Sequence, residues 1–173
     1  MTLHTGLPGR LMSALRPLTI YAANIMKVQS DFRELLRLFN EHNVEYLIVG
    51  GYALAFHGAP RYTGDLDIFI KPDVENAHRI LAALAEFGFD SLGLLTEDFT
   101  NPDSVIQLGV PPVRVDLISS LTGVTWVEAF AGKVEGAYGD INAPFIGREQ
   151  FIANKRAVGR KRDMADIEAL GEE

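Results

Sequence analysis

Apolar residues recur at helical spacing early in the chain and then give way to shorter, denser runs. Phe32, Leu35, Leu36 and Phe39 follow the i, i+3, i+4, i+7 pattern of one helix face, with Ser30 placed as an N-cap. This helix is expected to end near Asn43. The apolar run Tyr46-Leu47-Ile48-Val49, within Glu45 to Val49, is stopped by Gly50 and Gly51 and predicts a buried strand ending in a tight turn. A short helix is expected from Gly51 to His57, its first N–H groups pointing above the sheet edge. Asp65 to Ile70 predicts a second strand, ended by Lys71-Pro72. Helical spacing returns from Val74 to Phe87, with Ala77, Ile80, Leu81 and Leu84 inward and Gly88 as C-cap.

A loop rich in Asp, Thr and Asn follows. Val105 to Leu108 and Val113 to Ile118, separated by Gly109 and Pro111-Pro112, predict a strand pair with a tight connection. One or two helical turns are expected around Trp126 to Phe130. Lys133 to Tyr138 and Ile141 to Ile146 predict short edge strands flanking a turn at Gly139-Asp140. Arg148 to Val158 and Arg162 to Leu170 read as two helices broken at Gly159. The order of elements is that of an α/β (α+β) protein with a small mixed β-sheet flanked by helices. It lacks the long βαβ repetition of a Rossmann domain.

Composition narrows the picture. The chain has 173 residues, 47% of them hydrophobic and 23% charged, which suits one globular core. A net charge of −7 argues against a surface built for non-specific nucleic-acid binding. The absence of cysteine excludes disulfides, thiolate metal ligands and a cysteine nucleophile, and fits a cytoplasmic setting. No apolar run approaches the ~20 residues needed to span a bilayer, so no membrane association is expected. Residues 1–27 carry Arg10 and Arg16 ahead of a short, interrupted apolar stretch without an A-x-A-like site. They are expected to be a disordered extension, or an over-called start with Met26 as the first residue. Residues 28–173 are expected to form the single domain.

The candidate chemistry lies in two carboxylates that follow the glycine pair. Alternate strand residues share a face, so Asp65 and Asp67 stand together while Leu66, Ile68 and Ile70 point into the core. Two such carboxylates repel unless a cation lies between them, and magnesium takes one or two carboxylates together with phosphate oxygens. Gly50 and Gly51 remove side chains where backbone must approach a phosphate. A third carboxylate, as second metal ligand or general base, is expected from Asp116 in Val113-Arg114-Val115-Asp116-Leu117-Ile118, should that strand pair beside the Asp65 strand. Singly, the glycine pair reads as a tight turn and Asp-x-Asp as a solvated strand face. Their ordered combination favours nucleotide chemistry.

Val49-Gly50-Gly51, followed by Asp65-Leu66-Asp67-Ile68, resembles the signature of the DNA polymerase beta-like nucleotidyltransferase superfamily. Tyr52, Ala53, Gly58, Arg61 and Thr63, with Lys155 and Arg162-Asp163-Met164-Ala165-Asp166-Ile167, resemble its small bacterial branch, which includes type IV toxin-antitoxin nucleotidyltransferase toxins. The resemblance implies transfer of a nucleoside monophosphate from a nucleoside triphosphate to a hydroxyl on RNA, protein or a small molecule. It implies Mg2+, or Mn2+ in its place, on Asp65, Asp67 and Asp116. It further implies nucleotide contacts at Gly50, Gly51, Arg61 and Thr63, phosphate contact and catalysis through Lys155, and a cognate antitoxin as a partner.

Two other functions fit parts of the pattern. One is a nucleotidyltransferase fold without turnover, acting as a toxin-antitoxin partner or nucleotide sensor. The other is a glycosyltransferase using Asp-x-Asp, for which the chain is short and the glycine pair has no role. Arg61 has a salt bridge as its ordinary reading, and Thr63 a turn cap. His57 reads as a structural histidine. Trp126 reads as core, with a lid over a base as the other option. Lys155, Arg156, Arg160, Lys161 and Arg162 form a basic cluster that is either a solvated helix face or a phosphate-contacting surface.

Overall fold

The computed structural model describes residues 16–17 and 28–173, with side chains from Val28 onward. The expected extension or over-called start over residues 1–27 lies, apart from Arg16–Pro17, outside the described residues. In chain order the elements are β1 (Arg16–Pro17), α1 (Ser30–Glu41), β2 (Tyr46–Val49), α2 (Gly50–Phe56), β3 (Asp65–Ile70) and α3 (Val74–Phe87). A 3-10 turn at Asp90–Leu92 leads into α4 (Thr96–Thr100), β4 (Val105–Val110), β5 (Val113–Ile118) and α5 (Trp126–Ala131). The chain ends in β6 (Val134–Tyr138), β7 (Ile141–Phe145), α6 (Arg148–Val158) and α7 (Lys161–Ala169). The strands form one mixed sheet in the order β1-β6-β7-β2-β3-β5-β4.

Helix α1 buries Phe32, Leu35, Leu36 and Phe39, as its spacing predicts, and also Leu38. Its N-cap is Gln29 rather than Ser30, without a side-chain cap, and it ends at Glu41, short of Asn43. Helix α3 has a built cap: the Asp73 carboxylate accepts the Asn76 N–H at 2.7 Å, and Gly88 ends the helix at φ 105°. The fully buried Asn76 amide ties α3 to the sheet. It accepts the Glu45 N–H at 2.8 Å and donates to the carbonyls of Glu45 at 2.9 Å and Lys71 at 3.0 Å. A buried amide is tolerated only when satisfied in this way.

Two expectations change. The segment after α3 is not only loop: α4 forms there, with the Asp98 side chain accepting the Leu95 N–H and Phe99 wholly buried. Five residues are too few for a periodic signal, so burial of Phe99 decides the helix. The β6–β7 hairpin is not an edge pair either. Strand β7 runs parallel to β2, pairing Phe145 with Ile48, and Ile146 N–H donates to the Ile48 carbonyl at 3.0 Å. Phe145 is fully buried and stacks on Phe56 with centroids 4.2 Å apart, which draws the hairpin into the sheet. No helix among the described residues is long and apolar enough to cross a membrane.

Candidate active site

Strand pairing brings the carboxylates together. Strands β3 and β5 run parallel, with Asp65 opposite Arg114 and Asp67 opposite Asp116. Paired positions share a face, so all four side chains leave the sheet on one side. On the other flank, antiparallel β2 sets Val49 opposite Asp67, so the glycine turn opens beside that carboxylate. Gly50 has φ +63°, and a Cβ there would overlap the Asp67 carboxylate. Both the left-handed backbone and the close approach require glycine. A Cβ on Gly51 would lie 2.8 Å from Thr63 Cβ, so the bare backbone also admits Thr63 to the site.

These residues border a cavity of about 480 Å³. Its floor carries Asp65, Asp67, Arg114 and Asp116, with Gly50, Gly51, Arg61 and Thr63 alongside. Lys155, Arg160 and Arg162, from α6, α7 and the turn between them, complete the lining with Ser120, Thr122 and Asn154. Every site residue expected from the sequence therefore borders one cavity. Trp126 does not; it packs edge-on against Phe69 and stacks with Phe130 as core. His57 is tied to the Ile146 carbonyl at 2.8 Å, a structural contact.

The electrostatics divide the cavity into two walls. On the acidic wall, the Asp67 carboxyl is pushed up to about 6, first by burial and then by the charges of Asp116 and Asp65. Lys155 and Arg114 pull it the other way. Burial raises Asp116 as well, against the lowering effect of Arg114. Asp67 has no side-chain hydrogen bond or ion pair among the described residues. On the opposite wall, Lys155 Nζ lies 2.9 Å from Asp163 and 3.0 Å from Asp166. Arg61 forks onto Asp166 through Nε at 2.8 Å and Nη2 at 3.1 Å, while Arg160 Nε meets Asp163 at 2.7 Å. Burial would raise Asp163, but hydrogen bonds from Arg160 and Lys155 outweigh it and hold that carboxyl at about 2. Three cations against two carboxylates leave this wall positive, with Arg162 added at the rim.

The sequence reading passed over Arg114. Its Nη2 lies 2.6 Å from Asp65 Oδ2 and 3.2 Å from Asp116 Oδ2, so one guanidinium spans two of the three carboxylates. The available signal was Arg-x-Asp on one strand, which places both side chains on one face.

The donor set fits a hard divalent cation. Asp67 lacks a counter-charge in contact, and Asp116 Oδ1 is buried without an aligned hydrogen bond, although Arg114 Nε lies 3.1 Å away. Among the described residues no three Asp, Glu or His side chains form a ready-made metal cage. A cage is not required, because magnesium is completed by substrate phosphates and water. Asp65, Asp67 and Asp116 are the residues that would hold it.

No family model matches this sequence, and no curated protein matches it significantly. Solved structures do match in shape. A candidate nucleotidyltransferase of Thermotoga maritima superposes with a TM-score of 0.55 at 14% identity, over 79% of this chain and 88% of that one. Lincosamide antibiotic adenylyltransferase LnuA, in its lincomycin-bound form, gives 0.50 at 14% identity, over 83% and 96%. The antibiotic-resistance factor ANT(2'')-Ia gives 0.50 at 14% identity, over 82% and 80%. The likeness is one of fold: the mixed sheet flanked by helices is that of nucleotidyltransferases.

Proposed function

We propose that this chain is a nucleotidyltransferase, moving a nucleoside monophosphate from a nucleoside triphosphate to a hydroxyl and releasing pyrophosphate. The observation that carries the reading is the convergence of Asp65, Asp67 and Asp116 on a cavity whose facing wall is cationic. A triphosphate is drawn to Arg61, Lys155, Arg160 and Arg162 and repelled by the carboxylates, so a divalent ion is required between them. Magnesium, or manganese in its place, would neutralise charge on the phosphates and the departing pyrophosphate. The Gly50-Gly51 backbone and Thr63 border the triphosphate. The acceptor oxygen bonds to the α-phosphorus as the bond to pyrophosphate breaks, and Asp116, its pKa raised by burial, accepts the hydroxyl proton.

A small-molecule acceptor is the favoured class. Its support is the acidic net charge, a cavity of ligand size, and fold neighbours that include a lincosamide adenylyltransferase. A toxin-antitoxin setting with a cognate antitoxin rests on the sequence resemblance alone.

The test is label transfer from each of the four α-labelled nucleoside triphosphates, with magnesium, into cell lysate. Wild type is compared with the Asp65→Ala, Asp67→Ala double mutant. Label carried only by wild type is the expected result, and its nuclease or protease resistance would identify a small-molecule acceptor. Magnesium-dependent nucleotide binding without transfer would overturn the enzyme in favour of a binding module.

A further inference from the structure

We propose that Asn154 reads the nucleobase and selects adenine, so that ATP is the triphosphate this site takes. The inference rests on the nucleotidyl-transfer reading and deepens it. A triphosphate whose pyrophosphate end meets Arg61 and Lys155 carries its nucleoside past the carboxylates, and beyond Asp116 the cavity lining turns neutral. Ile118 follows Asp116 on the same face of β5, Ser120, Leu121 and Thr122 continue from the strand end, and Asn154 and Val158 come from α6. Ile118, Leu121 and Val158 give this part of the cavity apolar flanks, which suit a flat, uncharged ring.

The polar groups decide which ring. Ser120 already donates its hydroxyl hydrogen to Asp103 at 2.7 Å. The Thr122 hydroxyl can donate or accept, and so does not discriminate. Asn154 Nδ2 donates to the Thr122 carbonyl at 2.9 Å, which fixes the nitrogen side of the amide and leaves its other N–H and Oδ1 without a partner among the described residues. A donor and an acceptor on one planar amide match the amino hydrogen at N6 and the lone pair at N7 of adenine. Guanine offers two acceptors on that edge, N7 and O6, and so sets O6 against Oδ1. Pyrimidines lack N7. Asn154 directly precedes Lys155 on α6, so one turn of helix carries both the phosphate contact and the base contact.

Isothermal titration of each triphosphate into the full chain, with magnesium and without an acceptor, is the test. The ligands are ATP, GTP, CTP, UTP, 7-deaza-ATP, which lacks the N7 lone pair, and purine riboside triphosphate, which lacks the 6-amino group. The proteins are wild type, Asn154→Ala and the similarly sized Asn154→Leu, each checked for folding by circular dichroism. Wild type is expected to bind ATP about tenfold more tightly than each of the others. Both variants should lose that factor on ATP and bind ATP, 7-deaza-ATP and purine riboside triphosphate alike. A wild-type preference for GTP, CTP or UTP would overturn adenine selection, as would equal binding of ATP and the two altered purines. An ATP preference that survives in both variants would overturn the role of Asn154. Each of those results leaves nucleotidyl transfer standing. Failure of folded wild type to bind any of the triphosphates would overturn that reading and this inference with it.

Discussion

Replacing Asp67 by asparagine should stabilise the metal-free protein at neutral and alkaline pH while abolishing nucleotidyl transfer. The Asp67 carboxyl rises from an ordinary 3.8 to about 6 on folding, because burial and the Asp116 and Asp65 charges disfavour its ionised form. Between these values the folded chain holds a proton that the unfolded chain has lost. Its contribution to stability is therefore complete below pH 3.8 and is lost as pH rises through about 6. The loss amounts to about 3 kcal/mol above that pH. Asparagine is close in size and cannot ionise, so Asp67→Asn should recover roughly 2–3 kcal/mol at pH 8 in EDTA, or roughly 5–10 °C in midpoint. Near pH 4 the advantage should fall below about 1 kcal/mol. Urea unfolding of both proteins at each pH is the assay. The comparison must be made between variants, since Asp163 and Asp166, with lowered pKa values, lose their contribution as pH falls. Adding magnesium should stabilise wild type and leave the variant unmoved. A variant no more stable than wild type at pH 8, or an advantage that persists undiminished at pH 4, would refute the electrostatic argument.

Asp163→Asn should cost about 3 kcal/mol in urea unfolding, because it weakens the pairing of buried Lys155 and frees Arg160. Unchanged stability would mean that Asp166 alone satisfies Lys155. Gly50→Ala should lose more than about 2 kcal/mol, the left-handed backbone supplying about 1–2 of it and overlap with Asp67 the rest. It should also abolish label transfer, and a variant with wild-type stability would contradict the close approach of Gly50 and Asp67.

The sequence by itself determined most of the elements and which candidate residues they carry. Asp65–Ile70 and Val74–Phe87 are read to the residue because periods of 2 and 3.6 are local properties of the chain. The break at Gly159, with φ +68°, was legible for the same reason. Gly50-Gly51 and Asp65-x-Asp67 were visible as a pair of motifs, and Asp116 as a third carboxylate awaiting a partner strand. Only tertiary structure decided that β5 runs parallel to β3, so that Asp116 meets Asp67 and Arg114 meets Asp65. Only tertiary structure turned the C-terminal basic cluster into a network in which Lys155 is held by Asp163 and Asp166. The β6–β7 hairpin read as edge strands because its apolar pattern is silent about Ile48 and Phe56, which lie 97 and 89 residues before Phe145. Periodicity records which face of an element is buried. Register and ion pairing between distant segments depend on which faces meet, and that is settled by packing of the whole chain.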